Sequence, residues 1–83
     1  MSKRLYLRTL RQKHAYTIDQ LSERAEISYN HYQLIETGKR GLRLSLMIAY
    51  KLAKALDITI DEFYQYEISY LKDQVKTGGY LYD

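Results

Sequence analysis

The chain has 83 residues, with 13 Lys/Arg against 10 Asp/Glu and neither Cys, Pro nor Trp, enough for one domain with a small core that buries about two-thirds of the surface its unfolded chain exposes. Without cysteine neither a disulfide nor a thiolate zinc site can staple the fold, which excludes a zinc finger and leaves stability to apolar packing. The formal charge of +3 is unevenly spread: residues 1–54 carry 11 Lys/Arg and 4 Asp/Glu, whereas residues 55–83 carry 2 and 6, so a polyanion is drawn to the front of the chain and repelled by its tail.

Glycine is confined to positions 38, 41, 78 and 79, so helices can run unbroken between those points and an all-α chain is expected. The first helix is expected over residues 3–14, capped by Ser2, with Leu7 and Leu10 facing inward and Tyr16 closing over the joint. A second opens at Thr17 with a capping box, in which the Thr17 hydroxyl accepts from the Gln20 N–H and the Gln20 side chain reaches back. Its Ile18, Leu21 and Ala25 point one way, and Asp19, Gln20, Glu23 and Arg24 the other. Ile27 plugs the following corner. Ser28 then N-caps a third helix, Ser28–Thr37, whose inward positions are Tyr32 and Ile35 and which Gly38 ends at positive φ. A fourth, begun at Ser45, is expected to bury Leu46, Ala49, Leu52, Ala53 and Leu56. The fifth starts with a capping box at Thr59 and Glu62 and is expected to carry Ile60, Phe63 and Tyr64 into the core.

Beyond Phe63 the pattern continues. Tyr64, Ile68, Leu71 and Val75 recur at helical spacing, so the fifth helix is expected to run to Lys76 before Gly78-Gly79 breaks it. A stripe that leaves a small globule needs a cover, and two are open. One is a second copy of the chain, favoured by Tyr66 and Tyr70 on the flank. The other is the chain's own first helix, at Leu5 and Tyr6. The tail Tyr80-Leu81-Tyr82 could add to either surface or be disordered.

Two short helices joined by a tight turn and closed by a basic stop, Thr17 to Arg40, are the sequence form of a helix-turn-helix, which makes DNA the first partner to consider. The ordered series Leu7-x-x-Leu10-Arg11, Thr17 to Leu21, Ala25, Ile27-Ser28, Ile35-Glu36-x-Gly38-Lys39, Leu52-Ala53-Lys54-Ala55-Leu56, Ile58 and Asp61-Glu62-Phe63 resembles the phage-repressor, Cro-type (XRE-like) helix-turn-helix family over residues 3 to 64. The resemblance implies a compact, lambda-repressor-like bundle of five helices with the Ser28–Thr37 helix presented to the major groove. Residues 1–64 would then be the DNA-binding domain and residues 65–83 a helical extension and tail. It also implies that Arg11 and Glu36 meet as an ion pair fixing the first helix to the reading helix.

A reading helix uses its N-terminal and outward residues, here Ser28, Tyr29, Asn30, Gln33 and Leu34. The amides of Asn30 and Gln33 can pair with adenine N6 and N7 and lead as base readers. Tyr29 could reach a phosphate, pack on a thymine methyl, or stand exposed without a role. Leu34 occupies a position where members of the family often carry a polar reader, so it either touches a thymine methyl or marks a helix that reads fewer bases. Phosphate contacts are expected from Thr17 at a helix N-terminus and from Lys39, Arg40 and Arg43 in the following loop. Members of the family commonly carry Gln where this chain has Ile18, so that backbone contact is expected to be missing.

Catalysis finds little support: two His occur, no Ser–His–acid arrangement emerges, and no Gly-rich loop follows a strand. Glu23 and Glu26 read as a wet helix face, so no metal and no cofactor are expected. The chain has no apolar run of about 18 residues and no leader pattern, which makes a cytoplasmic protein with no membrane partner the expectation. The leading function is a dimeric repressor that binds a palindromic double-stranded operator, with regulation by expression level, dimerisation or a protein partner. The rival is a protein-interaction module, antirepressor or antitoxin-like, that kept the bundle with weak DNA binding; Ile18, Leu34 and the tyrosine-rich surface favour it.

Overall fold

A computed structural model describes residues 3–39 and 43–78, with side chains as far as Asp73. Within them the chain forms five helices and no strand: α1 Leu5–Lys13, α2 Ile18–Arg24, α3 Tyr29–Glu36, α4 Leu46–Ala55 and α5 Ile60–Gly78. Four starts are written locally. Thr17 and Gln20 form a reciprocal capping box, and Thr59 and Glu62 form another, with backbone-to-side-chain distances of 2.9–3.1 Å. The hydroxyls of Ser28 and Ser45 each accept from the N–H three residues on at 3.1 Å. Each satisfies an amide that the first helical turn leaves unpaired, a contribution of about 1 kcal/mol. The first helix departs from expectation, because its N-cap is Arg4, which makes no side-chain cap bond; Ser2 lies outside the described residues.

The first four helices also end alike. In each, the residue after the C-cap donates its N–H to the carbonyl three residues back, and the next donates to the carbonyl five back: Ala15 and Tyr16, Glu26 and Ile27, Gly38 and Lys39, Asp57 and Ile58. The geometry requires a left-handed residue, and φ is 59°, 59°, 77° and 58° at Ala15, Glu26, Gly38 and Asp57. Three of the four therefore hold a Cβ where glycine would be free of strain. The residue that follows packs against the core at Tyr16, Ile27 and Ile58. After α3 it is Lys39, exposed to solvent.

Leu7, Leu10, Leu21, Ala25, Tyr32, Ile35, Leu52, Ala53, Leu56 and Phe63 make one buried cluster to which every helix contributes. Tyr16 is half-buried over the α1–α2 joint, its ring stacked on His14 at 5.2 Å and capped by the Arg24 guanidinium at 4.7 Å. His14 in turn bonds the Leu56 carbonyl through Nε2 at 2.8 Å, joining the ends of α1 and α4.

Three expected core residues stay outside: Leu46 is 78 % exposed, Ile60 43 % and Tyr64 57 %. Leu46 and Ile60 begin α4 and α5, Tyr64 follows one turn into α5, and all three line the open groove between those helices. The long fifth helix does fold back on the start of α1, but with a different face. Phe63 meets Tyr6 edge to face, Tyr66 stacks on Tyr6 at 5.3 Å, and Tyr70 is buried under Arg4. The Tyr64, Ile68, Leu71 line faces away from α1, where with Leu44, Leu46 and Ala49 it lines an open groove of about 310 Å³. The Val75 side chain lies outside the described residues.

Candidate nucleic-acid interface

Helix α3 divides sharply into two faces. Tyr32, Ile35 and Glu36 are buried, while Ser28, Tyr29 and Asn30 are exposed and Gln33 and Leu34 half-buried. Burial of the first set fixes the helix's rotation, so the second set is what it shows to solvent. No described group hydrogen-bonds the side-chain amides of Asn30 and Gln33, which leaves a donor and an acceptor on each for a ligand. The Ser28 hydroxyl is used as the cap of α3. Tyr29 is about half exposed, and His31 lies between the two faces.

The inward face is held by charge as well as by packing. Glu36 receives the Arg11 guanidinium at 3.0 and 2.9 Å through two parallel bonds, and the Tyr32 hydroxyl at 2.6 Å. Arg11 also donates to the Tyr16 carbonyl at 3.0 Å. The hydrogen bonds to Glu36 raise the Arg11 guanidinium above its ordinary value. Burial and then the bond to Glu36 push the Tyr32 phenol well above its ordinary value. The network ties α1 to the last turn of α3, so α3 cannot roll without breaking a bidentate pair.

The flanking cations fall on two sides. Lys39 leaves the C-terminus of α3 directly into solvent. Arg43 is exposed but lines the groove between α4 and α5 beside Tyr64 and Glu67; Arg40 lies outside the described residues. Thr17 is exposed, with its hydroxyl committed to capping α2. Ile18 is half-buried against the core.

Around Ile18 the structure groups residues that sequence reading did not single out. Lys3, Arg8 and Gln12 line, with Ile18 and Thr37, a depression of about 300 Å³ where α1, α2 and the end of α3 meet. Arg8 and Gln12 lie one helical turn apart on the exposed side of α1, a spacing that was legible in advance. Two other missed residues are Arg4 and Glu67, both buried. Their signal was a carboxylate in the apolar series Phe63, Glu67, Tyr70, a position that demands a buried cation.

Among the described residues no cluster of His, Cys, Asp or Glu is suited to a metal ion, and no helix is long and apolar enough to cross a membrane. A family model described as helix-turn-helix matches residues 7–63, from the first buried leucine of α1 to the buried Phe63 of α5. No curated protein matches the chain.

Proposed function

Because the chain belongs to the Cro-type (XRE-like) helix-turn-helix family, and is a DNA-binding transcription regulator of that type, we propose that it is a cytoplasmic, sequence-specific repressor that works as a homodimer on a palindromic operator. The observation that carries the reading is the outward face of α3, where Asn30 and Gln33 present amides that bond no described group, on a helix whose other side is buried. In the major groove those amides pair with adenine edges. Tyr29 and Leu34 flank them with aromatic and aliphatic surface for thymine methyl groups, and Ser28 sits at the helix N-terminus where the duplex comes closest.

Backbone phosphates are met on either side of α3. Lys39 and Arg40 supply the loop side, with Arg43 beyond them at the mouth of the α4–α5 groove, and Thr17 with Lys3, Arg8 and Gln12 supply the α1–α2 side, where they compensate for the aliphatic Ile18. Dimerisation uses the open face of α5. Tyr64, Ile68 and Leu71, together with exposed Leu46 and Ile60, are apolar groove surface that a second copy would cover, and Val75 is assigned to the same contact by its helical spacing alone. Two such subunits present their α3 helices about 34 Å apart, one turn of duplex.

Selection of bound duplexes from random DNA tests the reading. The expected result is a symmetric site whose affinity falls steeply with salt and drops when Asn30 or Gln33 becomes Ala. Weak binding to every sequence alike, with tight association to a protein partner, would instead identify an antirepressor or antitoxin-like interaction module.

A further inference from the structure

Arg4 stands outside the reading surface, yet it grips the helix that forms it. The residue is 0 % exposed. Its backbone N–H donates to the Glu36 carbonyl at 2.9 Å, and its Nη1 to the Ile35 carbonyl at 3.0 Å. Both acceptors lie in the last turn of α3, where helical carbonyls lack intrahelical partners. The other edge of the same guanidinium faces α5: Nε and Nη2 donate to the two Glu67 oxygens at 3.0 and 2.8 Å. Tyr70 lies against it with the ring centre 4.5 Å from Cζ, and the Tyr6 hydroxyl donates to the Glu67 oxygen that Nε uses. One planar group thus spans the end of the reading helix and the middle of the fifth.

We propose that Arg4 is a positioning residue for DNA reading, which through Glu67 sets the angle between α3 and the open face of α5 and so the spacing of half-sites the dimer accepts. The inference rests on the dimeric reading above. Helix α3 packs on α1 and α2, whereas α5 packs mainly on α4 and meets the others through the start of α1, so the angle between α3 and α5 is decided at that seam. Apolar packing around Phe63 resists separation but is non-directional and tolerates tilt. A guanidinium has its donors in a rigid fork, and a bidentate carboxylate pair is lost by tilting either partner. Burial removes the water that would otherwise replace those bonds.

Spacing is the readout that separates this role from plain stabilisation. One base pair changes half-site separation by about 3.4 Å and rotates it by about 35°, so a dimer with a fixed α3–α5 angle accepts one spacing and a loosened one accepts its neighbours. The experiment uses the full chain, the symmetric duplex selected from random DNA, the same duplex with one central base pair added or removed, and a single half-site.

The unaltered protein is expected to prefer its own spacing by about 30-fold or more. Glu67→Gln, which turns an acceptor oxygen into an amide nitrogen facing Arg4's donors, is expected to narrow that preference below about fivefold, with half-site affinity held within about twofold. Tyr6→Phe, which deletes only the hydroxyl that orients Glu67, is expected to narrow it in the same sense, and it carries the test if Glu67→Gln loses helical circular dichroism. Folded variants that keep the full preference, or that weaken every spacing equally, overturn the positioning role and leave DNA reading intact. Failure of the unaltered protein to select any symmetric site removes the dimeric reading, and this inference with it.

Discussion

Arg11 and Glu36 lie face to face, Nε on Oε1 at 3.0 Å and Nη2 on Oε2 at 2.9 Å, with both side chains almost wholly out of water. The pair crosses from α1 to the last turn of α3, and the Tyr32 hydroxyl completes the coordination of the carboxylate. Removing one partner leaves the other charge buried and uncompensated, which costs about 3–5 kcal/mol. Arg11→Ala is therefore expected to lose a large share of the stability a domain of this size possesses. Urea unfolding followed by circular dichroism measures it, and a loss under about 1 kcal/mol would show the pair to be dispensable.

The outward amides make a different kind of prediction, one about discrimination. Asn30→Ala and Gln33→Ala remove amides that bond no group among the described residues, so unfolding midpoints are expected to hold. Each substitution is expected to lower the preference for the selected site over scrambled duplex by about 1–3 kcal/mol. Fluorescence anisotropy on the two duplexes reports it, and an equal loss on both would assign these residues to non-specific attraction.

Lys39 contributes through charge. As an exposed cation next to the C-terminus of α3, it is expected to release about one counterion on binding, so that Lys39→Ala lowers the slope of log affinity against log salt by about 0.9 while leaving sequence preference unchanged. Titrations at several salt concentrations supply the slope. An unchanged slope places Lys39 away from the duplex.

The left-handed residues at the helix ends are a reservoir of stability. Ala15 and Glu26 hold φ of 59° with a Cβ in place, at a cost of about 1–2 kcal/mol each. Ala15→Gly and Glu26→Gly are expected to stabilise the fold by about 1 kcal/mol, raising the melting temperature by about 4–8 °C. Asp57→Gly should gain less, because Asp tolerates the left-handed region better. Thermal melts of the three variants give the order, and destabilisation by Ala15→Gly would contradict the assigned backbone geometry.

Two phenols govern the alkaline limb of stability. Burial, then the charge of Glu67 for Tyr6 and the hydrogen bond to Glu36 for Tyr32, raise both well above the ordinary 10.0. The folded protein therefore keeps two protons that the unfolded chain gives up above pH 10, and stability falls as pH rises past that value. The expected slope is about 1.4 kcal/mol per pH unit for each phenol, with no contribution from either below about pH 9.5. Unfolding free energies across that range, compared with Tyr6→Phe and Tyr32→Phe, check both the sign and the share of each.

What the sequence determined by itself is what forms within one turn of chain. The caps at Thr17, Ser28, Ser45 and Thr59, the stop at Gly38 and the outward set on α3 follow from residues three or four positions apart, and the structure places each in that local geometry. Left-handed ends at Ala15, Glu26 and Asp57 escaped because no glycine marks them; apolar residues just beyond pull the chain into the core and impose the strain. Tertiary structure alone decided which side of α5 is covered. Arg4 and Glu67 are 63 positions apart, and their pairing turned Phe63, Glu67 and Tyr70 toward α1 while leaving Tyr64, Ile68 and Leu71 to the open groove. Periodicity names the faces of a helix, but the buried one is chosen by whichever partner satisfies its charges, and that partner is a matter of assembly in space.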